Sequence, residues 1–350
     1  MPDFIEQFQD TIRGAQARKA PLRIRGGGTK DFYGVRLAGE VLDTRPYAGI
    51  VDYEPTELVL TARAGTPLSE VESALAGRGQ MLPFEPPHFG PSATFGGSIA
   101  AGFSGPRRAY AGAARDFVLG VRMVNSRGED LRFGGRVMKN VAGYDLSRLM
   151  AGSFGTLGLI LEISVKVLPR PEVERTLVFE MDEARAIDAV NRWAGQPLPL
   201  SGSCHVGGKL HVRLSGAGLA VDAAQRKLGG ASLADDAAFW HSVREQTHGF
   251  FSGAPALWRF SVKSTSAPLG VGATLFEWNG ALRWVAGSIE PARAHEAAAK
   301  AGGHATLFRG TDKSAGIQRL TPALLVVHKK LKHAFDPEGI FGPGRIHPDF

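Results

Sequence analysis

Leu22-Arg23-Ile24-Arg25-Gly26-Gly27-Gly28-Thr29-Lys30 governs the reading of the whole chain. Its first four residues alternate apolar and charged side chains, as a short half-buried strand does. The three glycines that follow let the backbone turn with successive N–H groups pointing inward, a nest that attracts phosphate oxygens. Thr29 adds a hydroxyl donor, and Arg25 or Lys30 can add positive charge. The glycine-lysine-serine/threonine order of a nucleoside-triphosphate loop is missing. No G-x-G-x-x-G opens a helix in a βαβ unit either, which disfavours the usual dinucleotide fold. On its own, a glycine triplet is more often just a tight turn.

Two later stretches repeat the theme. Pro91-Ser92-Ala93-Thr94-Phe95-Gly96-Gly97-Ser98-Ile99-Ala100-Ala101-Gly102 is built of small residues around two central glycines. It reads either as room for another molecule against the backbone or as a helix start packed tightly on a strand. Val141-Ala142-Gly143-Tyr144-Asp145-Leu146 and Gly152-Ser153-Phe154-Gly155-Thr156-Leu157-Gly158 form a third glycine-rich turn leading into a strand. The chain has 45 glycines among 350 residues, nearly twice the usual share of about 7%. They cluster in apolar context between Gly26 and Gly158, and the three loops in this order are far more specific than any one alone.

Around these loops the pattern predicts a helix over 4–18, strands at 41–43, 50–53 and 58–62, and a helix from Pro67 to Ala76 with Thr66 as N-cap. A hairpin joins 118–125 to 129–133 across Ser126-Arg127-Gly128, and a short helix follows at 146–150. Residues 157–168 read as a long strand with Leu159, Leu161, Ile163, Val165 and Val167 on one face. Pro169-Arg170-Pro171 marks a domain boundary. Beyond it come strands at 176–181, 257–262 and 305–308, a hairpin over 202–214, and a hairpin across Asn279-Gly280. Helices are expected at 183–193, 216–228 and 291–301. This mixture predicts an antiparallel sheet with helices on one face. A last helix, 322–335, is expected to dock through Leu324, Val327, Leu331 and Phe335. The domains are therefore 1–171, 172–321 and a returning tail, 322–350.

The bulk numbers narrow the class. The net charge of +7 is dispersed, with no Lys/Arg run or aromatic platform suited to nucleic acid. The single cysteine, Cys204, excludes an internal disulfide and a cysteine-held iron–sulfur cluster. Residues 1–20 carry Asp3, Glu6 and Asp10 without an apolar run, so neither a signal peptide nor a membrane span is expected, and the chain reads as cytoplasmic.

The loops resemble the FAD-binding domain of the vanillyl-alcohol oxidase / p-cresol methylhydroxylase (PCMH-type) superfamily. More narrowly, Gly105-Pro106-Arg107-Arg108, Arg115-Asp116-Phe117-Val118-Leu119-Gly120 and the run from Gly134 to Asp145 resemble the FAD-binding E subunits of bacterial glycolate oxidases. The likeness extends to Phe239-Trp240, Arg244-Glu245-Gln246, Leu257-Trp258-Arg259 and the tail Phe335-Asp336-Pro337-Glu338-Gly339-Ile340-Phe341. It implies an α+β fold: a PCMH-type FAD-binding domain of two α+β subdomains, then a smaller antiparallel-sheet α+β cap domain.

The resemblance also implies roles. Arg25, Gly26, Gly27, Gly28, Thr29 and Lys30 would cradle the FAD pyrophosphate. Thr94, Gly96, Gly97 and Ser98 would lie along the ribityl–pyrophosphate stretch. Asp116, Gly143, Tyr144 and Asp145 would sit near the adenosine half or brace it. Gly152, Gly155, Thr156, Gly158 and Ile160 would offer backbone groups. Thr29 stands where some members carry a histidine that tethers FAD, so noncovalent FAD is expected. Phe154 replaces a usual glutamate and Gly342 a usual asparagine of the hydroxy-acid dehydrogenases, so their flavin-side contacts do not carry over.

Related catalytic subunits carry two histidines around a Gly-Asp-Gly turn. Here His205-Val206-Gly207-Gly208-Lys209-Leu210-His211 is one residue short and lacks the aspartate, with the histidines near opposite ends of a hairpin, so no metal is expected. Hydroxy-acid oxidation needs a base, a cation for the carboxylate and the flavin as hydride acceptor. Arg107, Arg108 and Arg259 are available as cations, and no base is identified; His88, His241 and His248 read as structural or surface residues.

The implied function is the FAD-binding subunit of a complex oxidising glycolate to glyoxylate. A larger FAD-containing catalytic subunit and an iron–sulfur subunit are the implied partners, with at most peripheral membrane association. The alternatives are a self-sufficient FAD-dependent 2-hydroxy-acid (D-lactate-type) dehydrogenase and a flavin-free interaction subunit that kept the fold.

Overall fold

The computed structural model describes residues 3–135, 145–317 and 320–350. Residues 4–18 form the expected helix, capped by Asp3, whose carboxylate accepts the N–H groups of Ile5 and Glu6. Its buried face, Phe8, Ile12 and Ala15, packs on Leu22, Leu42, Leu159 and Leu161, and on Ile340 and Phe341 from the tail. Leu22–Arg25 pairs in parallel with Glu40–Asp43. A bridge from Leu22 to Phe341 adds the tail to this small layer.

The second layer is a five-stranded antiparallel sheet, ordered Ile50–Glu54, Val59–Arg63, Leu159–Lys166, Val118–Val124, Asp130–Gly134. The helices Leu68–Ala76 and Phe95–Ala101 contribute Leu68, Val71, Leu75, Phe95 and Ile99 to its core. Two local expectations change here. Thr66 is not the N-cap of Leu68–Ala76; its hydroxyl bonds Gly49 N and the Arg63 carbonyl instead, and the cap position falls to Pro67 without a side-chain bond. The single apolar face expected along 159–167 is split. The pairing with Val118–Val124 slips between Arg122↔Glu162 and Met123↔Ile160. One extra residue at the slip reverses the alternation. Leu159 and Leu161 therefore face the N-terminal helix, whereas Ile160, Ile163, Val165 and Val167 face the other core.

The second half is one eight-stranded antiparallel sheet. The hairpin Leu200–Val206 with Lys209–Gly216 is as expected, but Cys204 is paired with His211 and His205 with Leu210. The two histidines thus lie beside the turn, one rung apart on opposite faces, and not at opposite ends of the hairpin. His205 stacks on Phe276 and His211 on Phe239. Burial holds His211 down at about 4. The Asn279-Gly280 link is longer than a two-residue turn: Trp278 and Asn279 both adopt positive φ between Thr274–Glu277 and Leu282–Ala286. The helix Asp236–Arg244 was not foreseen.

The halves meet through buried polar contacts. Arg107 binds Glu85 (3.3 Å) and Glu174, and Arg213 also reaches Glu85 (2.9 Å). Tyr110 donates to Asn279 (2.7 Å), Trp278 Nε1 donates to the Gly105 carbonyl (2.9 Å), and Glu245 accepts the His88 and Phe89 amides. The last helix, Pro322–Phe335, docks through only its second half. Leu331 and Phe335 pack on the first core, whereas Leu324 and Val327 are 50% and 60% exposed. Lys332 anchors the tail, its buried ammonium donating to the Thr156 and Phe341 carbonyls and to Asp336 (2.7, 2.7 and 2.6 Å).

Candidate functional site

The glycine triplet ends the strand Leu22–Arg25 and docks on the second glycine stretch. A Cβ added at Gly27 would lie 1.5 Å from the Ser92 carbonyl oxygen, and one at Gly26 would lie 2.2 Å from the Thr94 hydroxyl. Gly27 is therefore required for a close backbone approach. The positive φ belongs to Gly28, at 72°. Ser92 seals the contact by donating its hydroxyl to the Gly27 carbonyl (2.9 Å).

This docking leaves the loop's donors free. Among the described residues, none accepts a hydrogen bond from the N–H groups of Gly26, Gly27, Gly28, Thr29 or Lys30. Buried or half-buried amides are almost always paired, so five consecutive unpaired ones constitute an anion cradle. They line a cavity whose empty space, including the part open to solvent, is about 920 Å³.

The walls match the cradle. Arg23, Arg25, Lys30, Arg36 and Arg345 bring positive charge, against Asp31, which is paired with Arg25 at 2.8 Å. Arg23 Nε is buried without a partner. Burial lowers Lys30 to about 8, partly offset by Glu245. Arg345 donates to the carbonyls of Lys30 (3.1 Å) and Asp31 (3.4 Å), which clamps the tail onto the loop. The far side is apolar: Ala64, Ala100, Ala101, Phe154 and Ile160. A polyanion carrying a flat apolar group fits this distribution.

The second stretch is the helix Phe95–Ala101, capped by Thr94, whose hydroxyl accepts Gly97 N (3.2 Å). Phe95 N and Gly96 N donate to the Thr66 and Ala64 carbonyls, and Ser98 N to the Thr94 carbonyl. This helix start is thus the tightly packed one, with no amide of its first turn left for a ligand. Thr94, Gly96 and Gly97 still line the cavity. Ser98 does not; its buried hydroxyl has no partner.

From the third stretch, Gly155 and Ile160 line the cavity, whereas Gly152, Thr156 and Gly158 do not. Gly158 lets the chain pass Val124, and Thr156 supplies the carbonyl that holds Lys332. Asp116 caps its own turn through Ala113 N (2.9 Å), and Asp145 binds Ser147 and Arg148. Neither lines the cavity. Gly143 and Tyr144 lie outside the described residues. Sequence reasoning missed Arg23, Arg36 and Arg345 as site residues, since nothing local marks a tail arginine as facing residue 30.

Beyond Phe154 the cavity ends at an aromatic wall. Tyr33 stacks on Phe154 (5.0 Å), and Phe103 contacts Tyr33, Phe154 and Phe308 at 5.1–5.8 Å. Among the described residues no group of His, Cys, Asp and Glu could hold a metal.

Comparison with known proteins agrees with this geometry. The FAD binding domain family matches residues 1–134. The chain is 47% identical to glycolate oxidase subunit GlcE of Escherichia coli (strain K12) over 99% of its own length and 98% of that protein's. It is 35% identical to glycolate oxidase subunit GlcD of Bacillus subtilis (strain 168), over 51% of this chain and 39% of that protein. In fold it is similar to alkyldihydroxyacetonephosphate synthase, with a TM-score of 0.66 over 97% of this chain and 75% of that one, at 15% identity.

Proposed function

The chain belongs to the family of the glycolate oxidase subunit GlcE, and on that premise we propose that it is the FAD-binding subunit of a complex that oxidises glycolate to glyoxylate. The observation that carries this reading is the row of five unpaired amides facing a basic cavity. Gly26, Gly27, Gly28, Thr29 and Lys30 would hold the FAD diphosphate through backbone N–H groups. Arg23, Arg25, Arg36 and Arg345 would balance its charge. Gly96, Gly97 and Gly155 present bare backbone along the cavity wall, and Ala100, Ala101 and Phe154 offer an apolar rest for a ring. When bound, the flavin supplies a two-electron redox centre to the complex.

Retention is noncovalent, because a threonine hydroxyl at position 29 does not make the linkage a histidine can. The chain works as one subunit of an assembly whose partners are a larger FAD-containing catalytic subunit and an iron–sulfur subunit. The split of His205 and His211 onto opposite faces supports this over self-sufficient catalysis, since the pair cannot converge on one substrate. No described helix is long and apolar enough to cross a membrane. The proposed complex is cytoplasmic, at most peripheral to the membrane.

Purification with FAD, followed by heat denaturation, tests the cofactor assignment: about one FAD per chain is expected in the supernatant. A colourless chain overturns the cradle, and flavin left in the pellet overturns noncovalent retention. Glycolate added to the isolated, loaded chain is expected to leave the flavin oxidised. Rapid bleaching would favour the self-sufficient dehydrogenase.

A further inference from the structure

A second pocket, of about 430 Å³, lies where the first half meets the eight-stranded sheet. It adjoins the glycine cavity along the chain: Ala101 lines one and Gly102 the other. Phe103, on its wall, contacts Phe154 of the cavity at 5.8 Å. Two arginines reach into it, Arg108 from the first half and Arg259 from the second. Their guanidinium carbons lie 4.3 and 5.5 Å from the centroid of the same Trp278 ring. Among the described residues neither guanidinium makes a hydrogen bond or an ion pair. The neighbouring Arg107, by contrast, is fully engaged by Glu85 and Glu174.

A third polar group is orphaned there. Gln246 lines the pocket, is 8% exposed, and is held at a positive φ of 55°. Its buried Oε1 has no partner. Two half-buried guanidiniums without a hydrogen-bonded partner and a buried, orphaned amide oxygen in one small pocket are groups that a bound ligand can pair. A guanidinium fork matches a planar carboxylate in two parallel hydrogen bonds, and the amide can serve a neighbouring oxygen as donor or acceptor. The remaining wall is largely aromatic and includes the Glu277 carboxyl, which is held by Trp284 Nε1 (2.9 Å). That carboxyl disfavours a dianion, and the volume disfavours a large ligand.

We infer that Arg108, Arg259 and Gln246 form a binding site for a small monocarboxylate bearing an adjacent hydroxyl or keto oxygen. The choice of a 2-hydroxy or 2-oxo acid rests on the proposed function. The existence of a carboxylate site does not. The site places substrate or product on this subunit, across the Phe103–Phe154 wall from the glycine cavity.

The test titrates the full-length, FAD-loaded chain with glycolate, acetate and inorganic phosphate, following Trp fluorescence and calorimetric heat. Glycolate is expected to bind saturably, several-fold tighter than acetate and at least tenfold tighter than phosphate. Arg259→Lys and Arg108→Ala should each weaken glycolate at least tenfold, with flavin content unchanged. Gln246→Leu, close in shape, should weaken it threefold or more without lowering the melting temperature. It therefore tests the site even if an arginine variant fails to fold. A loaded chain that shows no saturable glycolate binding overturns this inference and leaves the FAD assignment standing. Preference for phosphate overturns the carboxylate assignment. A flavin-free chain that still binds glycolate sinks the cofactor reading and leaves the pocket intact.

Discussion

The loop at residues 26–30 and the pocket at Trp278 both present donors suited to an anion, but they are built from different materials. The loop uses main-chain amides, fixed by two glycine stretches docked on each other. The pocket uses long side chains from two halves of the molecule, resting on one indole ring. A backbone nest tolerates little change of residue where, as at Gly26 and Gly27, a Cβ would fill the docking contact. A side-chain pocket can be emptied one residue at a time without disturbing the chain path. The two regions should therefore fail differently under mutation.

The largest effect is expected at Gly27. In Gly27→Val the new side chain collides with the Ser92 backbone. Flavin content should fall to near zero, and overpacking should cost about 1–3 kcal/mol of stability and lower the melting temperature. Full flavin at an unchanged melting temperature would break the claim that the loop is a rigid nest.

Next is the contrast between adjacent arginines. Arg107→Ala removes a buried partner of Glu85 and Glu174 and should destabilise by about 2–4 kcal/mol in urea unfolding. Arg108→Ala removes an unpaired cation and should leave stability unchanged or slightly raised. Equal losses in the two variants would show that Arg108 is structural.

A smaller effect is a pH slope. Burial pushes the Glu277 carboxyl from 4.5 up to about 7, with Glu85 acting in the same direction and Trp284, Arg259 and Arg213 against it; burial, and after it Glu277, raises the Cys204 thiol. As pH rises from 4.5 the unfolded carboxyl ionises while the folded one stays neutral. Stability is therefore lost between about 4.5 and 7 and levels off above. Glu277→Gln should flatten that fall in melting temperature measured across pH 4.5–8; an unchanged slope would assign it to other groups.

The smallest effect is at Gly28, where a methyl group meets only the flexible end of Arg25 and the strain is the positive φ. Gly28→Ala should lower stability by about 1 kcal/mol and weaken FAD a few-fold in a dilution assay. Loss as complete as at Gly27 would erase the distinction between close approach and backbone conformation.

Much of the first region was legible beforehand. Glycine runs announce where a backbone must turn or be approached, and Gly26–Gly28, Gly96, Gly97 and Gly155 do meet in one cavity. Position within a glycine run did not tell which job each performs. Gly158 lets the chain pass Val124, Gly152 supplies a positive φ of 91° with open space beside it, and the helix start at Thr94 keeps its amides for the protein. Strand periodicity along 159–167 failed at a bulge, which depends on the partner strand's register and leaves no local trace. The apolar stripe of the last helix found its Leu331 and Phe335 contacts but not the exposure of Leu324 and Val327.

Local sequence sufficed for the glycine cradle and the antiparallel second sheet, because each depends on backbone freedom or spacing within a few residues. Only the tertiary structure decided that Arg345 clamps residue 30, that Arg107 is spent while Arg108 is free, and that Gln246 is orphaned. Those facts depend on which distant groups share a desolvated space, and pairing energy in such a space is set by three-dimensional neighbours that the order of residues along the chain does not display.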